Sequence, residues 1–335
     1  MQVSRLSLAV DNGLFAVPEG KIAVFRPRTG ADLSALPKDR VEVIQGFRPD
    51  HDYFAAQGYA VAVAPSGDYA AAVVMLPRSK AEARGLIATA ADVVAKGGPI
   101  AVDGQKTDGA DSILKELRKK VNLSEALAKA HGKIAVFPNP GAGALPDWAE
   151  GPARKLPEGF VTRAAAFSSD GIDPGSAALA AALPSKLSGV VVDLGAGWGY
   201  LSSEILKREG VTAVHLVEAE HDALEAARAN ITDPRAQFHW ADATRADLPE
   251  KADAVVMNPP FHQGREADPN LGRAFIEAAK RALAPNGTLW MVANRHLPYE
   301  RTLAEAFREV EELPGPAAFK LYRASAPKRP VRVRR

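Results

Sequence analysis

Val190-Val191-Val192-Asp193-Leu194-Gly195-Ala196-Gly197-Trp198-Gly199-Tyr200 decides how the chain is read. A short β-branched run suits a strand buried on both faces, and glycines directly after it let the backbone turn tightly against a ligand. The spacing departs from the dinucleotide pattern Gly-x-Gly-x-x-Gly, because glycine falls on every second position and an aspartate sits at the strand end.

That variant resembles the loop of S-adenosyl-L-methionine (AdoMet) methyltransferases. The resemblance implies that Gly195, Gly197 and Gly199 lie against a cofactor made of an amino acid, a sulfonium and a nucleoside. No pyrophosphate needs cradling there. Asp193 is expected to face the cationic methionine end.

The 335 residues suggest about two domains at roughly 150 residues each. A net charge of +2 does not single out a polyanion partner for the whole chain, but the stretch after Glu312 holds several bases and no acid. Cysteine is absent, which excludes disulfides, Cys-ligated zinc and iron–sulfur clusters. It also excludes two chemistries: methylation of pyrimidine C5 through a thiolate, and radical AdoMet reactions on a Cys-bound cluster. With no long apolar run, the expected location is the cytoplasm.

Residues 1–137 alternate short apolar runs (Ile22–Phe25, Val41–Ile44, Tyr59–Ala64, Ala71–Leu76, Pro99–Val102, Lys133–Phe137) with helical periodicity over Ser79–Val94 and Asp108–Lys120. This alternation predicts an α/β domain with a mostly parallel sheet. Its first strand runs into Arg26-Pro27-Arg28-Thr29-Gly30 instead of a glycine loop. Ala71–Pro77 nonetheless parallels Ala252–Pro259, and Ile100–Val102 parallels Leu289–Val292, so a diverged internal repeat is expected, with Leu76 in place of Asn258. The proline- and glycine-rich stretch 138–160 reads as a linker, 161–324 as a second α/β domain, and 325–335 as a basic tail.

Polar residues closing the strands of the second half are the candidate ligands, since open α/β sheets bind at their carboxyl edge. Glu218 lies nineteen residues after Gly199, near the roughly 20-residue spacing at which an acid meets ribose hydroxyls. Asp242, followed by Ala243, ends the next strand and is placed to accept from an adenine amino group. Asp222 with Glu225 resembles a capping box. Asp170 and Asp173 flank a glycine upstream of the loop and are candidates to close over the cofactor.

Asn258-Pro259-Pro260-Phe261 is the most specific stretch. Two prolines remove two backbone donors and stiffen the loop, so the Asn258 amide oxygen and the Pro259 carbonyl can converge as paired acceptors. Such a pair suits an NH₂ group, whose lone pair is then presented for in-line transfer by position rather than by a strong base. Phe261 offers a stacking face, an interaction worth about 1–3 kcal/mol per base.

Together with Phe167-Ser168, Asp170-Gly171, Asp173-Pro174-Gly175-Ser176, Val292-Ala293-Asn294, Leu297-Pro298-Tyr299 and Phe319–Ala324, these motifs make residues 156–324 resemble the guanine-N2 ribosomal RNA methyltransferases, most of all the small-subunit (RsmC) type. The resemblance implies two tandem Rossmann-like, class I methyltransferase domains. The first is a degenerate copy with a structural and RNA-docking role; the second uses AdoMet to methylate the N2 amine of a guanine in 16S ribosomal RNA. Ribosomal RNA or a ribosomal subunit is the implied partner. A large-subunit guanine, a protein glutamine and a non-catalytic role in ribosome assembly stay open as alternatives.

Overall fold

The computed structural model describes residues 4–149, 154–163, 166–246, 251–260, 262–263, 266–267 and 269–329. The chain divides into two compact units, Met1–Pro152 and Ala153–Arg335.

The first unit contains α1 (Arg5–Asp11), β1 (Ile22–Phe25), β2 (Val41–Ile44), α2 (Arg48–Ala56), β3 (Ala60–Ala62), β4 (Ala71–Met75), α3 (Lys80–Val93), β5 (Pro99–Gln105), α4 (Ala110–Leu117), β6 (Leu127–Lys129) and β7 (Gly132–Pro138). Its seven strands are ordered β3-β2-β1-β4-β5-β7-β6, parallel except for the two pairings of β7. β1 is buried along its whole length, as its unbroken apolar sequence requires of a strand covered on both faces.

The second unit runs through β8 (Arg154–Lys155), β9 (Val161–Thr162), α5 (Pro174–Ala182), β10 (Gly189–Leu194), α6 (Tyr200–Leu206), β11 (Val211–Glu218), α7 (His221–Asn230), β12 (Ala236–Trp240) and β13 (Ala252–Met257). It continues with β14 (His262–Gln263), β15 (Glu266–Ala267), α8 (Pro269–Ala282), β16 (Leu283–Asn294), α9 (Glu300–Ala306), β17 (Phe307–Leu313) and β18 (Phe319–Pro327). Its main sheet is ordered β12-β11-β10-β13-β16-β18-β17, again parallel except at the β18 pairings. The two orders are the same order, strand for strand.

Ladder register moves the expected match at Asn258 by one residue. Phe25 pairs with Ile44 and Val74, and Leu194 pairs with Val217 and Met257. The first three pack in the layer of α3 and α4, the second three in the layer of α8 and α9. Side chains alternate along a strand, so the residue that turns to the other layer is Met75 in one sheet and Asn258 in the other. Met75, not Leu76, therefore stands where the second unit has Asn258.

Three further expectations are corrected. Stretch 138–160 is not wholly an exposed tether, because Leu145 and Trp148 are buried in the first unit's core and Leu156 in a cluster of the second. α7 is not opened by a capping box: its N-cap is Glu220, without a side-chain cap bond, and Glu225 pairs with Arg228. The basic tail starts later than 325, since β18 runs to Pro327, Lys328 donates to the Ala304 carbonyl and Arg329 to that of Leu283. Residues 330–335 lie outside the described residues.

Candidate active site

The site is built at the carboxyl edge of β10, β11 and β13. Gly195, Gly197 and Gly199 hold φ of +76°, +55° and +93°, a region that L side chains resist. The amides of Gly195 and Ala196 donate to the Val217 carbonyl at 2.8 and 3.1 Å, which folds the loop back over β11. A Cβ on Gly197 would meet no atom within 4 Å, so the loop is open above that residue. Gly199 is turned elsewhere: its Cβ would lie 2.8 Å from Ile231 Cδ1, and it permits close packing against α7 rather than approach of a ligand.

Glu218 joins the loop to the next turn. One oxygen accepts from the Gly197 amide and the other from the Glu220 amide, each at 2.8 Å. Burial pushes the carboxyl above its ordinary value, against the lowering effect of those two amides. Each oxygen can accept more than one hydrogen bond, so the half-buried carboxylate retains acceptor capacity toward the crevice.

Asp193 is not in the crevice. It has no accessible surface; its Oδ2 accepts from the Ser202 hydroxyl at 2.6 Å, and its Oδ1 has no partner among the described residues. Desolvation raises its carboxyl to about 7. Asp193 thus supports α6 from below the loop, and the expectation that it faces a ligand directly does not match this arrangement. Ser202 was missed in the sequence, where nothing distinguishes it from other helical serines.

Asp242 closes β12 with an Asx-type turn, accepting from the Thr244 amide at 2.9 Å and hydroxyl at 2.6 Å, and Ala243 is buried behind it. Both stay at the carboxyl edge beside Glu218, since Trp240 pairs with Glu218 and the Ala241 amide donates to the Glu218 carbonyl. Asp170, a candidate to close over the cofactor, has a largely exposed side chain paired with Arg154.

Asp173 does two things. Its Oδ1 caps α5 by accepting from the Ser176 amide at 2.7 Å, and the same atom accepts from Asn258 Nδ2 at 2.8 Å. The Ser176 hydroxyl accepts from Asn258 Nδ2 at 2.9 Å. Both donors of the Asn258 amide are thereby consumed by α5, which fixes the orientation of its oxygen. Pro259 is buried and Pro260 exposed. Phe261 lies outside the described residues.

Between the two loops, Trp198 Nε1 donates to the Phe167 carbonyl at 3.1 Å, and Asn230 ties Val161 to the Trp198 carbonyl. The segment before α5 therefore spans from the glycine loop to Asn258. Asn230 carries no sequence signal; Trp198 does, as the one bulky residue among the glycines.

The first unit keeps the backbone of this site and fills its interior. Arg26 follows Phe25 as Gly195 follows Leu194, with φ of +54° and the matching bond from its amide to the Ile44 carbonyl at 2.9 Å. Gln45 stands where the second unit has Glu218, accepting from the Phe47 amide two residues on and donating to the Pro27 carbonyl. The Arg26 guanidinium donates to Glu82 and to Gln45, which puts a paired cation where the second unit has glycine.

Residues 158–323 match the family model of the Methyltransferase small domain. The Ribosomal RNA small subunit methyltransferase C of Shewanella pealeana is 30% identical over 260 residues, covering 75% of each chain. The chain belongs to the ribosomal RNA small subunit methyltransferase C family. A methyltransferase C of Klebsiella pneumoniae agrees, at 30% identity over 253 residues, 74% of this chain and 73% of that one. Outside the C family, the Ribosomal RNA large subunit methyltransferase G of Alcanivorax borkumensis is 32% identical over 174 residues, 50% of this chain and 44% of its own. A solved methyltransferase C, the T. thermophilus 16S rRNA N2 G1207 enzyme in complex with AdoMet and guanosine, superimposes with a TM-score of 0.79 at 23% identity, over 97% of this chain and 93% of that chain. Both units of this class I methyltransferase thus have counterparts in the C-family fold.

Proposed function

We propose that this chain transfers a methyl group from AdoMet to the exocyclic N2 amine of a guanine in 16S ribosomal RNA. The observation that carries the reading is the amide of Asn258, whose NH₂ is committed to Asp173 and Ser176 so that its oxygen is an oriented acceptor. An acceptor suits an amine that must be held with its lone pair forward. AdoMet, when bound, supplies the methyl electrophile on its sulfonium. The open face at Gly197 gives it a close approach, and the unused lone pairs of Glu218 suit two vicinal ribose hydroxyls. Asp242 and Ala243 are assigned to the adenine end, and Asp193 acts through the loop and α6.

Orientation performs most of the chemistry. The amine needs no strong base, because its proton is lost to solvent once the nitrogen has become cationic, and a held geometry supplies much of the rate. The target base must leave its stack to reach the site, at a cost of a few kcal/mol.

A second reading, the same transfer to a 23S guanine, is favoured by the similarity to the large-subunit methyltransferase G. Incubating labelled AdoMet with unmodified 30S subunits, 50S subunits and naked rRNA, then digesting to nucleosides, separates the two. Label in N2-methylguanosine from the 30S or 16S sample is the expected result; label only in 23S RNA selects the second reading.

A further inference from the structure

The first unit has lost the interior of its cofactor site, yet a cavity of about 380 Å³ opens at the same carboxyl edge, displaced toward the antiparallel β5–β7 side. Lys106, Lys129, His131 and Lys133 line it, with Asp111 as its single acid. Asp111 is already engaged by Lys133 at 2.6 Å. Lys106 and Lys129 have no ion pair among the described residues, so the cavity carries surplus positive charge.

Its walls are held in place. Ala130 and His131 form the β6–β7 turn with φ of +48° and +58°, a conformation that favours glycine or asparagine and is uncommon for these residues. The Lys106 amide donates to the His131 carbonyl at 2.8 Å, tying this turn to the end of β5. Beneath the hairpin, the Arg5 guanidinium pairs with Asp103 and donates to the Lys129 carbonyl at 3.1 Å. Gly132 allows the close approach of β5 and β7 there, since a Cβ would lie 2.7 Å from the Gly104 carbonyl oxygen. The neighbouring charges Arg5 and Asp103 cancel each other, which leaves Lys106 and Lys129 to face an incoming anion.

We propose that this cavity is a phosphate-binding pocket that grips the RNA backbone. The proposal rests on the reading of RNA as substrate. A cavity of this size admits a phosphodiester with its adjoining ribose. Two lysines act as point charges without base preference, so the pocket positions the strand while the second unit reads the guanine.

The test uses the full chain and two probes, a 16S rRNA fragment and a single-stranded oligouridylate that contains no guanine. Affinity is measured as a function of salt for wild type, for Lys106→Gln with Lys129→Gln, and for a control pair outside the cavity, Lys115→Gln with Lys119→Gln. Losing two phosphate contacts should lower the log–log salt slope by about 1.4 to 1.8 on both probes, at about 0.7 to 0.9 per contact. The control pair should leave the slope near wild type, and AdoMet affinity should be equal in all three proteins. An unchanged slope in the cavity pair, an equal loss in the control pair, or no binding of oligouridylate by wild type overturns the pocket. Methylation of guanine by wild type is scored separately, so failure of the enzymatic reading is visible whatever the slopes do.

Discussion

Asp173 Oδ1 accepts from Asn258 Nδ2 at 2.8 Å across 85 residues of chain, and it does so with the atom that also caps α5. The start of α5 and the Asn258 amide are therefore tied through one atom. Asn258→Ala removes the acceptor, and turnover should fall on the order of 10²–10³-fold, as for loss of a single oriented catalytic group, with AdoMet affinity little changed. Single-turnover kinetics beside calorimetric AdoMet binding measure both; near-normal turnover sinks the acceptor assignment.

Asp173→Ala keeps Asn258 but removes one of the two acceptors that fix its amide, leaving only the Ser176 hydroxyl. Turnover should drop on the order of tenfold to a hundredfold through misorientation, with about 1 kcal/mol of stability lost from the cap. Ser176→Ala, which leaves the Asp173 bond in place, should be milder. A purely structural role would instead lower the melting temperature in both variants and leave kcat of the folded protein untouched.

Ionised Glu218 has the acceptor capacity to take two ribose hydroxyls beside its two backbone amides, protonation reduces it, and burial raises its carboxyl. AdoMet affinity should therefore weaken, as pH falls, at a higher pH than an ordinary glutamate would dictate. Glu218→Gln should bind more weakly at neutral pH and lose this dependence. Titration of affinity against pH by calorimetry checks it, and a flat wild-type profile contradicts it.

Asp193, raised to about 7 in the fold against 3.8 for the free group, binds a proton more tightly folded than unfolded. Its contribution to stability is therefore full below about pH 4 and is lost as pH rises through 7, by roughly 4 kcal/mol at most. Asp193→Asn should flatten the pH dependence of urea unfolding across that window. Equal slopes in the two proteins would show that Asp193 is ionised in the fold throughout.

One equivalent of AdoMet should bind per chain, because Arg26, Gln45 and Glu82 occupy in the first unit what Gly195 and Glu218 leave open in the second. Calorimetric stoichiometry decides this, and two equivalents would refute the filled first site.

Local signals revealed much of this architecture. The apolar runs at Ile22–Phe25 and Val190–Leu194 are strands because only burial on both faces suits them, and Glu218, Asp242 and Asn258 fall at strand ends where the pattern places them. The repeat was visible in composition. Its register was not: which of Met75 and Leu76 answers to Asn258 depends on hydrogen-bonded partners in other strands.

The sequence by itself determined the α/β class, the glycine turn and the stiff Asn258-Pro259-Pro260 turn at the end of β13, since these follow from period, φ freedom and the missing proline donors, all properties of neighbouring residues. Only the tertiary structure decided what each carboxylate does. Asp170, Asp173 and Asp193 look alike as candidates, yet one is solvated beside Arg154, one holds Asn258 and one is sealed under the loop against Ser202. The physical reason is that a carboxylate's role is set by which donors and how much water surround it, and those come from segments distant in the chain.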